Sequence, residues 1–411
     1  MVKRIFAIGF IYACTAIGWF LLAGTMFVRS ENQDDKLRGA VGQLWGTAQT
    51  QKAPLVYYET SPPGGNKAES VPPREYVALD ASEIEVDLEL KHRRKGLLWY
   101  STYRVDFSGK YRLVNDSGSP RQFFADFVFP AADTVYDNFR FAVGAQEVKE
   151  VKLTSGRLTR SLELAPGESE DIQISYVSQG LDRWSYAFGD NVNQIRNFSL
   201  NLATDFERID FPQDSISPTQ KQRSGDGWRL TWKYANLLTG AEIGVIMPQK
   251  LNPGPWVGRV TAAAPVSLFL FFFLMMVFTT IKNIKLHPMN YFFIATAFFS
   301  FHLLLAYLVN HISIHLAFAI CSGVSVFLLV SYMRLVVGMR LAFVEIALAQ
   351  LVYLVFFSYT FFFEGYTGLT ITILCICTLF VVMQFTGKVN WEKVFSKNGD
   401  GANTKVKINE K

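Results

Sequence analysis

Apolar positions in this chain follow two patterns. Six stretches are apolar almost without interruption: residues 5–28, 260–281, 288–309, 312–333, 341–363 and 365–387. Each has roughly the 20 residues that a helix needs to cross a bilayer core, and each predicts a transmembrane helix. The later stretches are joined by very short connections. They read as helical hairpins, because lipid offers no hydrogen-bond partner to exposed loop backbone.

Between the first and second stretches the period changes. Leu37, Val41, Leu44 and Trp45 fall at i, i+4, i+7 and i+8, one face of a helix. Residues 61–73 hold four prolines and two glycines, which predicts a loop. Beyond it the alternation becomes two-fold. Ile84, Val86, Leu88 and Leu90 alternate with Glu83, Glu85, Asp87 and Glu89, a half-buried strand with an acidic outer face. Tyr103, Val105 and Phe107 alternate next, with a turn expected at Ser108-Gly109. Residues 123–129, 139–143, 148–153, 158–164, 172–177 and 199–203 predict further strands, punctuated by Gly144, Gly156 and Pro166-Gly167. Gly225-Asp226-Gly227 is a turn into a strand that carries Trp228 and Trp232 on one face. Short strands at this spacing suggest an antiparallel sandwich. Residues 248–255, with three prolines, predict a stiff linker into the second apolar stretch.

Charge orients this layout. Half of the 411 residues are hydrophobic and 18% are charged, below the roughly 25% of an ordinary soluble protein. Residues 29–259 hold 28 basic and 30 acidic residues, whereas 1–28 and 260–411 hold 12 basic and 5 acidic. The excess positive charge is therefore not on the polar segment, which excludes a nucleic-acid-binding domain driven by basic charge. Lys3 and Arg4 precede the first stretch, and Lys282 and Lys285 follow the second. Arg334 and Arg340 separate the fourth and fifth, and Lys388, Lys393 and Lys397 follow the sixth. The opposite short loops, Asn310-His311 and Glu364, carry neither Lys nor Arg. The positive-inside rule then predicts six spans, both termini cytoplasmic, and residues 29–259 outside. A cleaved signal peptide is the alternative for the first stretch, but its 24 apolar residues exceed the roughly 7–15 of a signal h-region. The expected fold class is a membrane protein of α+β type, with a large periplasmic all-β, sandwich-like domain between helices 1 and 2. The expected divisions are an anchor helix (1–28), a β-rich periplasmic domain with an N-terminal helix (29–259), a five-helix bundle (260–387) and a cytoplasmic tail (388–411).

Chemistry is sparse. There is no phosphate loop, G-x-S-x-G, H-E-x-x-H or C-x-x-C. Cys375 and Cys377 are two apart, so on a helix they point about 200° from each other and suit a metal poorly. The polar segment has one histidine, His92, which argues against a histidine-based hydrolase or zinc site. No catalytic residue, metal or cofactor is expected. Three sets of residues stand out. His92, Arg93, Arg94 and Lys95 form the densest basic run, either a contact for anionic head groups or envelope polymer, or a solvated hairpin loop. Asn310 and His311 fall at the same membrane face as Glu364 and Tyr366. A pair between His311 and Glu364 would join two hairpins or form a protonation-sensitive site, and His315 shares a helix face with His311. Inside the apolar stretches, Glu345 is expected to snorkel or to pair with Arg334 or Arg340. His302 is expected to donate one hydrogen bond to a neighbouring helix.

Five strings carry a family resemblance: LWGTAQTQKAPLVYY, HRRKGLLWYSTYRVDFSG, FPQDSISPTQKQRSGDGWRLTWKYANLLTG, LHPMNYFFIATAFFSFHLLLAYLVNHI and FEGYTGLTITILCICTLFVVMQFTGKVNW. In this order, over about residues 37 to 391, the chain resembles the CreD family of bacterial inner-membrane proteins, often called cell-envelope integrity proteins. It departs from the family pattern at Ala53-Pro54 (usually Gly-Pro), at Asn310 (usually Glu) and at Gly365 (usually Asp). The resemblance implies a role in the state of the cell envelope, connected with an envelope-responsive two-component system, and supplies no catalytic mechanism. The resulting expectation is a non-enzymatic inner-membrane protein that supports envelope integrity, with the bilayer and an envelope component or membrane protein as partners and no nucleic acid. A channel or transporter subunit gated by the β domain is the alternative, and an envelope-modifying enzyme the third.

Overall fold

Helix α1 (Val2–Trp45) is one unbroken helix where the sequence suggested a membrane span and a separate stalk. The reason is local. Residues 29–36 contain neither glycine nor proline, so nothing ends the first helix before the Leu37–Trp45 stripe begins. The computed structural model describes residues 2–60, 73–96, 98–132, 134–144, 146–147, 157–189, 194–363 and 365–387. The chain divides into two compact units. One is Met1–Asp34 with Asn252–Lys411, and the other is Asp35–Leu251.

The second unit is built of strands: β1 (Gln49–Lys52), β2 (Leu55–Glu59), β3 (Arg74–Val77), β4 (Ala81–Lys95), β5 (Leu98–Val114), β6 (Arg121–Val128), β7 (Tyr136–Val143) and β8 (Gln146–Glu147), then β9 (Arg157–Leu164), β10 (Ser169–Leu181), β11 (Arg183–Ala187), β12 (Ile195–Thr204), β13 (Gln220–Ser224), β14 (Gly227–Leu237) and β15 (Ile243–Ile246). They form an eight-stranded sheet ordered β13-β14-β12-β4-β5-β10-β7-β8, a four-stranded sheet β3-β2-β6-β9 and a three-stranded sheet β1-β11-β15. A single core draws side chains from all three sheets, which makes the unit a sandwich. The strand expected at 148–153, Gly156, and the loop of residues 61–72 lie outside the described residues.

Alternation set the buried face of β4. Ile84, Val86 and Leu88 are buried while Glu83, Glu85 and Asp87 are exposed. Two expectations are corrected. The sandwich is not wholly antiparallel, since β4 pairs parallel with β12, and β1 parallel with β11. These strands are far apart in sequence, so the connections between them leave the sheet and return to it. Nor does β5 turn at Ser108-Gly109. Gly109 pairs with Ile84 on one side and Ile174 on the other, mid-sheet. It is there for room, because a Cβ at Gly109 would meet the ring of Tyr111 at 2.8 Å. Gly180 does the same for Tyr103, its cross-strand partner, whose ring occupies the space a Cβ would need. Aromatic rings laid over glycines restore the packing that the missing side chain would leave open. The expected turns at Gly144, Pro166-Gly167 and Gly225-Asp226 are present, with Gly144, Gly167 and Gly225 all at positive φ.

Four tyrosines are wholly inside this core: Tyr103, Tyr111, Tyr176 and Tyr186. The Tyr176 hydroxyl donates to Gln51 Oε1 at 2.7 Å, and that of Tyr103 to the Arg183 carbonyl at 2.8 Å. Burial penalises their phenolates, so Tyr103, Tyr176 and Tyr186 titrate well above the ordinary value near 10, and Tyr136 is pushed up to about 12. The folded values lie above the unfolded one. The stability tied to these groups is therefore complete below pH 10 and is lost as pH rises through the folded values. Alkaline titration of the full chain in detergent should show two tyrosinate classes by ultraviolet absorbance. The buried class should ionise only as the β unit unfolds, above the pH at which the exposed class has titrated. One transition centred near 10, with the unit still folded, would contradict this.

The other unit holds helices long and apolar enough to cross a membrane: the first part of α1, then α2 (Pro253–Ile281), α3 (Pro288–Leu308), α4 (Ile314–Val337), α5 (Leu341–Phe362) and α6 (Thr367–Thr386). The linker ends sooner than expected, because Pro253 is the first residue of α2, where its missing N–H costs nothing. Helix α5 is irregular, with wide π turns over Leu341–Ile346 and Leu351–Phe356. Polar side chains tie the bundle together. Gln350 donates to Ser325 Oγ at 2.9 Å, and Ser325 donates to the Ala297 carbonyl at 2.7 Å, joining α5, α4 and α3. Tyr353 donates to Thr378 Oγ1 at 2.9 Å, joining α5 to α6, and Ser267 of α2 donates to the Tyr353 carbonyl. Hydrogen bonds of this kind, together with close packing, hold helices together in an apolar solvent.

Candidate functional site

The last turn of α1 ends where Gly46 adopts φ +85° and its N–H bonds the Gly42 carbonyl at 2.9 Å, a left-handed helix stop. Leu37, Val41 and Trp45 then pack on Leu98, Tyr100 and Leu181 in a second small core. Leu44 was expected on the same face. It lies off the i, i+4, i+8 stripe and is exposed. Instead it lines a cleft of about 440 Å³ with Trp45, Arg104 of β5, Thr134, Tyr136 and Gln179 of β10.

Polar groups that are themselves held in place build this cleft. Gln49, 1% exposed, donates from Nε2 to Ser178 Oγ and to the Gln179 carbonyl, both at 2.9 Å. Ser178 donates in turn to the Val135 carbonyl at 3.0 Å. The Tyr136 hydroxyl is tied to Ala131, accepting from its N–H and donating to its carbonyl at 2.8 Å. Thr134 Oγ1 is buried at the cleft with no protein partner among the described residues. Gln43, Arg104, Asp137 and Gln179 are exposed at its rim. Aromatic surface beside amide, guanidinium and carboxylate groups suits a ligand with an apolar face and several hydroxyls.

The basic run is not a free loop. Strand β4 continues through Lys95, and the turn begins at Gly96, at φ +60°. The His92 ring bonds the Pro248 carbonyl at 2.9 Å, and Lys95 donates to the Ala40 carbonyl at 3.2 Å. Arg93 sits over the Trp45 ring at 5.2 Å, and Arg94 donates to the Gly96 carbonyl at 3.2 Å. Three of these four side chains thus brace α1 and the strand ends, and Arg93 covers one face of a cleft residue.

Of the membrane-face residues, Glu364 lies outside the described residues. Asn310 donates weakly back to the Ala306 carbonyl at 3.4 Å. His311 and Tyr366 are exposed, and among the described residues Asn310, His311 and Tyr366 share no hydrogen bond. His315, in contrast, stacks on Phe362, with centroids 4.8 Å apart. The expected partners of Glu345 are corrected: its carboxylate pairs with Lys282, at the end of α2, at 2.6 Å rather than with Arg334 or Arg340. His302 is corrected as well. Its Nδ1 donates to the Phe298 carbonyl of its own helix at 3.1 Å, because that carbonyl lies one turn back on the same face. Its ring meets Trp19 edge-on, with centroids 5.7 Å apart. No periodicity could have announced the cleft, since its walls come from four separate stretches of chain. The local sign was the Trp45-Gly46 pair followed by Gln49.

A family model described as inner membrane protein CreD matches residues 214–392. The family resemblance drawn from the five strings is thereby borne out. The fourth and fifth lie within the match, and the third enters it at residue 214. No curated protein matches the chain. Among solved structures it is similar to a candidate nutrient-binding protein from Legionella pneumophila, at 8% identity, over 55% of this chain and 76% of that one, with a TM-score of 0.32.

Proposed function

We propose, with the CreD-family inner-membrane sequence of residues 214–392 as premise, that this is a non-enzymatic protein of the bacterial inner membrane. Its β unit faces the periplasm and binds a hydroxyl-rich envelope component, a glycan, in the Trp45–Gln179 cleft. The Lys and Arg residues of the short connections support this orientation, with both termini cytoplasmic. The carrying observation is the cleft itself, with two aromatic walls, a charged and amide-bearing rim and a braced polar floor.

Calorimetric titration of the full chain in nanodiscs with soluble cell-wall glycan fragments should give saturable binding. Gln179→Ala and Arg104→Ala should each weaken it about tenfold. Each would remove a rim group that meets a hydroxyl, and one such contact is worth roughly 1–1.5 kcal/mol. No heat with the unaltered chain, or equal affinity in both variants, would remove the cleft from the account.

A further inference from the structure

Helices α4 and α5 leave a groove of about 420 Å³ between them. On the α4 side it runs along Gly323, Phe327, Ser331 and Arg334, and on the α5 side along Phe343 and Leu351. Its surface is almost entirely apolar. Ser331 returns its hydroxyl to the Leu328 carbonyl at 3.0 Å and so presents little polarity to the groove. Gly323 is exposed, and a Cβ built there meets nothing within 4 Å, so the groove is open at that end.

The other end carries the only charged residue of the lining, Arg334, in the last turn of α4. Among the described residues its guanidinium has neither an ion pair nor a hydrogen bond. The carboxylate that could have neutralised it, Glu345, is held by Lys282 at 2.6 Å. From Gly323 to Arg334 the helix rises about 16 Å at 1.5 Å per residue. That is about half of a hydrocarbon core roughly 30 Å thick, the depth of one leaflet.

We infer that this groove is a binding site for a single anionic phospholipid. One acyl chain lies along Gly323–Ser331, and the phosphate is held by Arg334. A groove one leaflet deep, with one cation at its interfacial end that has no partner among the described residues, matches a lipid in both length and charge. A transmembrane helix of a partner would run on through both leaflets, beyond the length of the groove. Guanidinium and phosphate form bidentate, charge-assisted hydrogen bonds, and basic pockets between helices are a recurrent form of lipid head-group recognition. With the orientation proposed above, the occupied leaflet is the cytoplasmic one. The site itself does not depend on that orientation, nor on the glycan cleft.

The test is native mass spectrometry of the full chain, titrated with phosphatidylglycerol and, separately, phosphatidylcholine. The unaltered chain should retain one phosphatidylglycerol that phosphatidylcholine does not displace. Arg334→Gln should weaken that retention tenfold or more, and Arg334→Lys by less. Gly323→Leu replaces a poor helix former by a good one and fills the groove without touching charge. It should abolish retention of the bound lipid at an unchanged melting temperature. Retention unaltered in both Arg334→Gln and Gly323→Leu would overturn the inference. So would a dimer mass that Gly323→Leu dissociates, because the groove would then hold a second copy of the chain.

Discussion

Replacing Gly46 by alanine is expected to destabilise the β unit by about 2–4 kcal/mol and to disorder the cleft with it. Two costs combine. The residue sits at φ +85°, where an L side chain is strained. The new Cβ would also collide with the backbone carbonyl of Gln179, which cannot move without shifting β10. That carbonyl already accepts from Gln49 Nε2, so moving it disturbs the floor of the cleft as well as its wall. Hydrogen exchange on the full chain in nanodiscs would show the loss as faster exchange in β1 and at the Ser178–Leu181 end of β10. The membrane helices should keep their protection, because stability is distributed by unit. Unchanged exchange in Gly46→Ala would mean that the helix stop is not needed to hold the cleft.

The second large effect belongs to Trp232. Its ring is fully buried in the core of the sandwich, and its indole N–H donates to the Ile216 carbonyl at 2.8 Å. Trp232→Ala should cost about 3–5 kcal/mol, from lost apolar burial, an unfilled cavity and an orphaned acceptor. Trp228, four residues earlier on the same strand face, should behave differently. It is partly exposed, with its N–H on the Glu207 carbonyl at 2.7 Å and Lys221 lying over its ring at 4.1 Å. Trp228→Ala should cost roughly 1 kcal/mol. Thermal unfolding of the two variants in the same detergent checks the contrast. Equal losses would mean that Trp232 is not packed as described.

These two tryptophans show where sequence reading ran out. Their spacing put them on one face, and both do point to one side of β14. Nothing in the spacing said that the Ile216 segment would close over Trp232 while Trp228 stayed partly exposed beside Arg223 of β13. The same holds at Gly109. A glycine after a serine reads as a turn until the ring of Tyr111 is seen lying over it. Glu345 is a further case. Its nearest basic neighbours in the chain are on the preceding connection, yet the packing of α5 against α2 delivered Lys282 instead.

Local composition alone determined where the six apolar helices and the β unit fall along the chain. Uninterrupted apolar runs of bilayer length, a two-fold alternation between the first and second of them, and family strings in order need no long-range information. Burial of apolar surface depends only on which residues alternate and how many are contiguous. Tertiary structure decided the rest: the parallel pairing of β4 with β12, the cleft where α1 stops against β10, and the groove that ends at Arg334. These arise where segments far apart in the chain meet. The contacts that make them depend on shape and on which charged groups the packing brings together, and neither is written in any single stretch of residues.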